Sequence, residues 1–237
     1  MSRLVTPKSA RWLYGFNALV AWSAVLLSFT LNITGFYSDN VNPDAPTLLG
    51  NVVGGQDQPW ERLFDWLTYF TILSNIVVAV VMTALLLRPD WFNREDSTGR
   101  VWRALRLDSV VMILVTGIVY NVLLAEGPKT GIDWVNNFQQ HALNPVVTLL
   151  VFAIAGPKRL ASWRTAMDAM VLPLLWSAFA LLRGQVIGAY PYFFLNVAEL
   201  GIAAVLLFIA QILVFALLLC AGLILLDRVT AKASIDG

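Results

Sequence analysis

Thr71 and His141 are the two residues whose types and positions suit chemistry. Each lies inside a long apolar segment, and His141 is the only histidine among 237 residues. A threonine hydroxyl is a poor nucleophile until a base removes its proton. Imidazole is the side chain whose ordinary pKa lies nearest neutral pH. Facing each other in a dry, lipid-walled place, the two could act as nucleophile and general base in acyl transfer.

The elements that must position this pair are membrane helices. The chain is 58% hydrophobic and only 13% charged, with a mean hydropathy of +0.70. Ordinary soluble domains are about half apolar and a quarter charged, so lipid must be the solvent for much of this one. The net charge of +1 gives no general attraction to nucleic acid. The single cysteine, Cys220, excludes an intrachain disulfide and reads as a small apolar filler.

Six stretches are apolar over about the 20 residues that cross a bilayer core: 12–36, 64–87, 107–125, 135–155, 167–183 and 196–226. The fold class expected is an all-α integral membrane protein, a single six-helix domain over 1–237. The first stretch follows Arg3, Lys8 and Arg11, but its apolar run from Leu13 to Leu31 is too long for a cleaved leader. Basic residues orient the bundle. Arg3, Lys8, Arg11, Arg88, Arg94, Arg100, Arg103, Arg106, Lys158, Arg159, Arg164, Arg228 and Lys232 all fall on one face, which predicts both termini in the cytoplasm. Arg62, Lys129 and Arg183 fall on the other, with a loop at 37–62 rich in Gly, Asn, Asp and Pro. A multi-pass protein of the cell membrane follows.

Asp65, Asp108, Asp133, Asp168 and Glu199 fall at or near the first turns of the expected helices, where the helix dipole favours carboxylates. Trp12, Trp60, Trp66, Trp91, Trp134 and Trp163 read as interfacial anchors.

Two of the helices carry polar stripes. Thr68, Thr71 and Asn75 are spaced three and four apart, with Ser74 beside them; Asn137, His141, Asn144 and Thr148 repeat in the same way. In lipid such stripes must face protein. Counting from Phe64 and from Trp134 or Val135 puts Thr71 and His141 each ~10 Å inside the same face. Pro145 cannot donate to the carbonyl of His141, so that oxygen should be free for a water or a side chain. Pro173 should act likewise on Ala169.

The string Tyr69-Phe70-Thr71-Ile72-Leu73-Ser74-Asn75 resembles the YFTxLSN signature of the androgen-induced membrane protein family and its bacterial six-span relatives. His141 with Asn144-Pro145, Thr116 to Asn121, and Tyr190 to Asn196 are similar to its other elements, and the likeness runs from about 12 to 225. Asn121 stands where many relatives place a histidine, and the long first outer loop is this chain's own. The resemblance implies threonine-dependent hydrolysis of fatty acid esters of hydroxy fatty acids, with Thr71 as nucleophile and His141 as base.

On that expectation His141 accepts the Thr71 proton and returns it to the departing alkoxide. Asn75, then Asn144, are the expected oxyanion donors, with Ser74 as polar support. Glu199, Tyr190 or a backbone carbonyl would orient the imidazole. Arg183 and Lys129 would attract a substrate carboxylate, and their plainer role is as cations near helix C-termini. The partners are membrane lipids and a lipid ester. No cofactor or metal is expected, since one histidine and one cysteine cannot make a usual zinc site. Gly50 to Gly55 have no lysine behind them for a phosphate loop. A transporter or channel would use the same polar stripes and kinks, and a purely structural membrane protein would use them as packing.

Overall fold

Residues 8–38, 42, 44–51, 58–125 and 127–233 are described by a computed structural model of the chain. Arg3 and part of the Gly50 to Gly55 loop lie outside them. Nine α-helices follow one another among the described residues: α1 (Lys8–Ile33), α2 (Pro59–Thr68), α3 (Phe70–Leu87), α4 (Ser97–Val119), α5 (Gly131–Phe138), α6 (Asn144–Ile154), α7 (Trp163–Ala169), α8 (Val171–Ile187) and α9 (Val197–Ala233). Wide π turns extend α4 over Tyr120–Leu124 and join α5 to α6 over Gln139–Leu143. Helices are what an apolar solvent demands, because each satisfies its backbone groups internally.

Five stretches are each long and apolar enough to cross a membrane: Ser9–Ile33, Phe70–Leu87, Ser97–Leu124, Trp163–Ile187 and Val197–Ala231. The expected fourth span, 135–155, corresponds to α5, the π turn and α6, none of which has that length by itself.

Helix α4 is central. Its Met112 and Ile113 join the core that α1 and α3 form through Tyr14, Ala18, Ala21, Val78, Met82 and Leu85. Its opposite face, with Leu107, Val111 and Val115, packs on Phe152, Ala166, Ala216 and Cys220. Cys220 is buried filler, as its surroundings in the sequence suggest. Outward, α8 and α9 expose Leu175, Leu182, Val186, Leu206, Leu207, Val214 and Leu218. So large an apolar surface needs lipid or another apolar partner over it.

Several expectations are corrected. The 64–87 helix is two helices: Tyr69, with φ −73° and ψ 130°, breaks the chain between α2 and α3. Thr68 therefore leaves the stripe, and its hydroxyl donates to the Phe64 carbonyl at 2.7 Å. The depth count for Thr71 assumed one straight helix and does not carry across this break.

The third helix begins ten residues before its expected start, at Ser97, because the Asp96 side chain caps it by accepting from the Gly99 amide at 3.0 Å. Asp108 is thus mid-helix and buried, and Arg106 is no loop residue but lies buried with its guanidinium 4.5 Å above the Phe152 ring. Asp65 and Asp168 likewise sit beyond the first turns of α2 and α7 and pair with arginines; Asp133 and Glu199 do occupy first turns.

The fifth expected span starts earlier and ends later than 167–183. Pro173 falls in the first turn of α8, where a missing amide costs no helix bond. Trp66 is buried and donates to Ser28 Oγ at 2.9 Å instead of anchoring an interface, whereas Trp12, Trp60, Trp134 and Trp163 are exposed.

Candidate active site

Thr71 is the second residue of α3, directly after the Tyr69 break. The first amides of a helix have no partner within it. Here the Thr71 N–H donates to the Tyr192 hydroxyl at 3.3 Å. Long-range contacts hold the break open: Trp176 Nε1 donates to the Thr68 carbonyl at 3.0 Å, and the Tyr69 hydroxyl to the Leu49 carbonyl at 3.1 Å.

The Thr71 hydroxyl lies 3.4 Å from His141 Nε2 and 3.4 Å from the Tyr192 hydroxyl. The other ring nitrogen of His141 is 3.1 Å from the Asn137 carbonyl. A carbonyl can only accept, so Nδ1 carries the hydrogen and Nε2 keeps its lone pair toward Thr71. The imidazole is held flat on the Tyr120 ring, with centroids 3.6 Å apart and planes 17° apart. Asn137 in turn donates through its side chain to the Tyr120 hydroxyl.

His141 itself sits in the π turn 139–143. Such bulges appear where the normal ladder cannot close, and Pro145 removes the amide that would have reached the His141 carbonyl. Asn121 Nδ2 donates to that freed oxygen at 3.2 Å and to the Gly117 carbonyl at 2.7 Å. The side chain that the proline leaves room for is thus that of Asn121.

The asparagines expected as oxyanion donors are engaged elsewhere. Asn75 Nδ2 donates to the Thr71 carbonyl at 2.8 Å, and Asn75 Oδ1 accepts from Asn144 at 2.7 Å. The chain continues from Asn144 through Thr148 to Asn17, all wholly buried. Buried amides must be satisfied, and these tie α1, α3 and α6 together. Ser74 bonds Thr116 at 2.8 Å, tying α3 to α4. The two polar stripes therefore meet, chiefly as cross-links.

Glu199 is exposed and accepts from Thr47 at 2.5 Å. Tyr190 is buried against Gly184, and its backbone pairs with Thr47 and Leu49, pinning that segment before α2. Neither holds the imidazole; the Asn137 carbonyl does. Arg183 forms a partly buried ion pair with Asp65, and Lys129 pairs with Asp133 at 3.9 Å. Arg183 Nη1 is nonetheless buried without a hydrogen-bond partner, and the Lys129 pair is loose and exposed.

Beside Thr71 and Tyr192 opens a cavity of about 70 Å³, lined almost wholly by apolar side chains, among them Val115, Trp176, Phe194 and Ile212. Sequence reasoning missed Tyr192 and Tyr120, although both lie in the quoted motifs. Tyr192 follows Tyr190 by two residues outside any span, and nothing local distinguishes which of them turns inward.

No group of three or more His, Cys, Asp or Glu side chains among the described residues could hold a metal ion. No protein-family model, curated protein or solved structure matches the chain.

Proposed function

We propose that this protein is an intramembrane hydrolase of lipid esters, with Thr71 as nucleophile and His141 as base. The observation that carries the reading is the polarised arrangement Asn137 carbonyl, His141, Thr71, in which one nitrogen is committed to the backbone and the other faces a hydroxyl. This is the logic of a hydroxyl, a base and an orienting group found across acyl-transfer enzymes. The resemblance of Tyr69 to Asn75 to the family's threonine motif points to fatty acid esters of hydroxy fatty acids as the substrate class.

In the first step Thr71 Oγ1 attacks the ester carbonyl carbon while His141 Nε2 takes its proton. The resulting oxyanion needs donors. The Tyr192 hydroxyl, which accepts from the Thr71 amide and so keeps its own hydrogen to give, replaces Asn75 and Asn144 in that role. Collapse expels the alkoxide, which receives the proton from His141 and leaves an acyl ester on Thr71. Water then attacks that ester, His141 again taking and returning a proton. The apolar cavity of about 70 Å³ beside Thr71 suits only the first few carbons of an acyl chain.

The proposed setting is a cell-membrane bundle of six spans, counting α5 to α6 as the fourth. Both termini lie on the basic, cytoplasmic face by the positive-inside rule.

The test is hydrolysis of a chromogenic medium-chain ester by purified protein, with labelling by a fluorophosphonate probe. Turnover lost in both Thr71→Ala and His141→Ala while each still melts as a folded protein supports the reading; labelling that survives Thr71→Ala overturns it. A transporter would instead show solute uptake into liposomes that survives Thr71→Ala.

A further inference from the structure

At the end of the bundle that carries the basic loops, far along α4 from Thr71, lies an open pocket of about 620 Å³. Arg100 and Arg103 of α4, Arg159 of the loop before α7, and Arg164 of α7 line it, with Ser162 and Thr165 between them. Its acids are largely spent. Asp168 takes two bonds from Arg100, at 2.7 and 2.5 Å, and Asp96 takes two from Arg94, at 2.9 and 2.5 Å. Glu95 alone faces the pocket without an arginine pair among the described residues. Arg103 donates to the Phe92 and Arg94 carbonyls but keeps its charge. Arg159 and Arg164 have no ion pair or side-chain hydrogen bond among the described residues, so the pocket keeps a surplus of guanidinium.

Arg159 adds an independent sign. It is the only non-glycine residue among the described ones with positive φ, at 61°. The Cβ clash of that left-handed backbone persists only when the surroundings hold it in place, and the side chain it delivers is a cation at the pocket rim. A guanidinium fork matches the paired oxygens of a phosphodiester. An apolar stripe starts next in sequence to the pocket-lining Arg164, Thr165 and Asp168: Trp163, Met167 and Val171, spaced four apart, are all exposed along α7 and into α8. A ligand that is anionic at one end and apolar over a helix length beyond it fits this surface.

We propose that the pocket seats the phosphodiester headgroup of an anionic phospholipid, its chains lying along Trp163, Met167 and Val171. The site is separate from the chemistry at Thr71 and requires only that the bundle sit in a membrane.

The test is native mass spectrometry of the detergent-purified protein with added phosphatidylglycerol, or with phosphatidylcholine of the same chains. Retained adducts should favour phosphatidylglycerol. Arg159→Gly and Arg164→Gln should each weaken retention about fivefold, the scale of one basic residue at an anionic surface. Arg228→Gln, exposed on the same end but outside the pocket, should not. Arg159→Gly also removes the positive-φ strain, so its melting temperature should hold or rise while binding falls, which separates lost contact from lost fold. Equal retention of the two lipids, an equal loss in Arg228→Gln, or full binding in Arg159→Gly with Arg164→Gln would overturn the proposal. So would displacement of the lipid by equimolar glycerol 3-phosphate, which would mark a site for soluble phosphate.

Discussion

Gly117 and the carbonyl oxygen of His141 are in such close contact that a Cβ on residue 117 would lie 3.0 Å from that oxygen and 3.0 Å from Pro145 Cγ. Glycine here lets α4 rest directly against the turn that carries the imidazole. Gly117→Ala should therefore push the two helices apart by a few tenths of an ångström. The expected cost is about 1–3 kcal/mol of stability, as for other overpacked cores. Ester turnover should fall further than melting does, because the His141 to Thr71 separation is already 3.4 Å. Kinetics beside a thermal melt check both, and unchanged turnover would show that the helix contact does not set the geometry.

Thr71→Ala and His141→Ala should each lower turnover by ~10²–10⁴, the usual range for losing a positioned proton acceptor or its partner. Stability should move by about 1 kcal/mol in Thr71→Ala, which removes a hydroxyl shared by His141 and Tyr192, and by more in His141→Ala, which also removes the stack on Tyr120. A large melting drop with no measurable reaction in the wild type would favour a packing role for both.

Tyr192→Phe keeps the aromatic contacts with Tyr69, Trp176 and Phe194 and removes only the hydroxyl. If that group stabilises the oxyanion, kcat should fall ~10²-fold with KM little changed. A rise in KM at constant kcat would instead make Tyr192 a ground-state contact.

Asp65→Asn should be costly because it strands the partly buried Arg183 charge; about 3 kcal/mol is the scale for breaking such a pair. Replacing both residues by leucine should restore much of the loss. Chemical denaturation of Asp65→Leu, Arg183→Leu and the double leucine variant measures this, and single losses that simply add in the double variant would argue that the pair is not coupled.

Lys158 gives a pH signature. Its ammonium donates to the Phe152 and Ala153 carbonyls at the end of α6, yet burial pushes its pKa down to about 8, with Arg106 adding repulsion. Between about 8 and the ordinary lysine value, the unfolded chain holds this proton and the folded chain does not. Stability contributed by this group therefore rises with pH across that window. The melting temperature of Lys158→Met should lack the rise that the wild type shows there.

Much of the site could be read from the chain. In lipid, a helix face bearing Asn75 or one bearing Asn144 and Thr148 has nowhere to turn except toward protein, so their meeting followed from residue type and spacing. The freed His141 carbonyl followed from Pro145. The break at Tyr69 did not, because no proline or glycine marks it and its partners, Trp176, Tyr192 and Leu49, are remote in sequence. The start of α4 was misread for a different reason. Its first turns carry Arg100, Arg103 and Arg106, which look like loop charge until Asp96 is recognised as a cap. The pairing of Arg183 with Asp65 depends on the fold bringing α8 against α2, which no local pattern records.

Four other threonine hydroxyls fold back onto the chain: those of Thr30, Thr34, Thr83 and Thr230 each donate to the carbonyl four residues earlier, at 2.7–2.8 Å. That habit occupies the hydrogen that a base would need to remove. Thr71 escapes it because the carbonyl four residues back belongs to Leu67, on the far side of the interruption at Tyr69. Were α2 and α3 to fuse into one rod, residue 71 would become one more self-satisfied threonine, and its amide would vanish into the ladder as well. A small discontinuity in the backbone thus sets one alcohol apart from its neighbours.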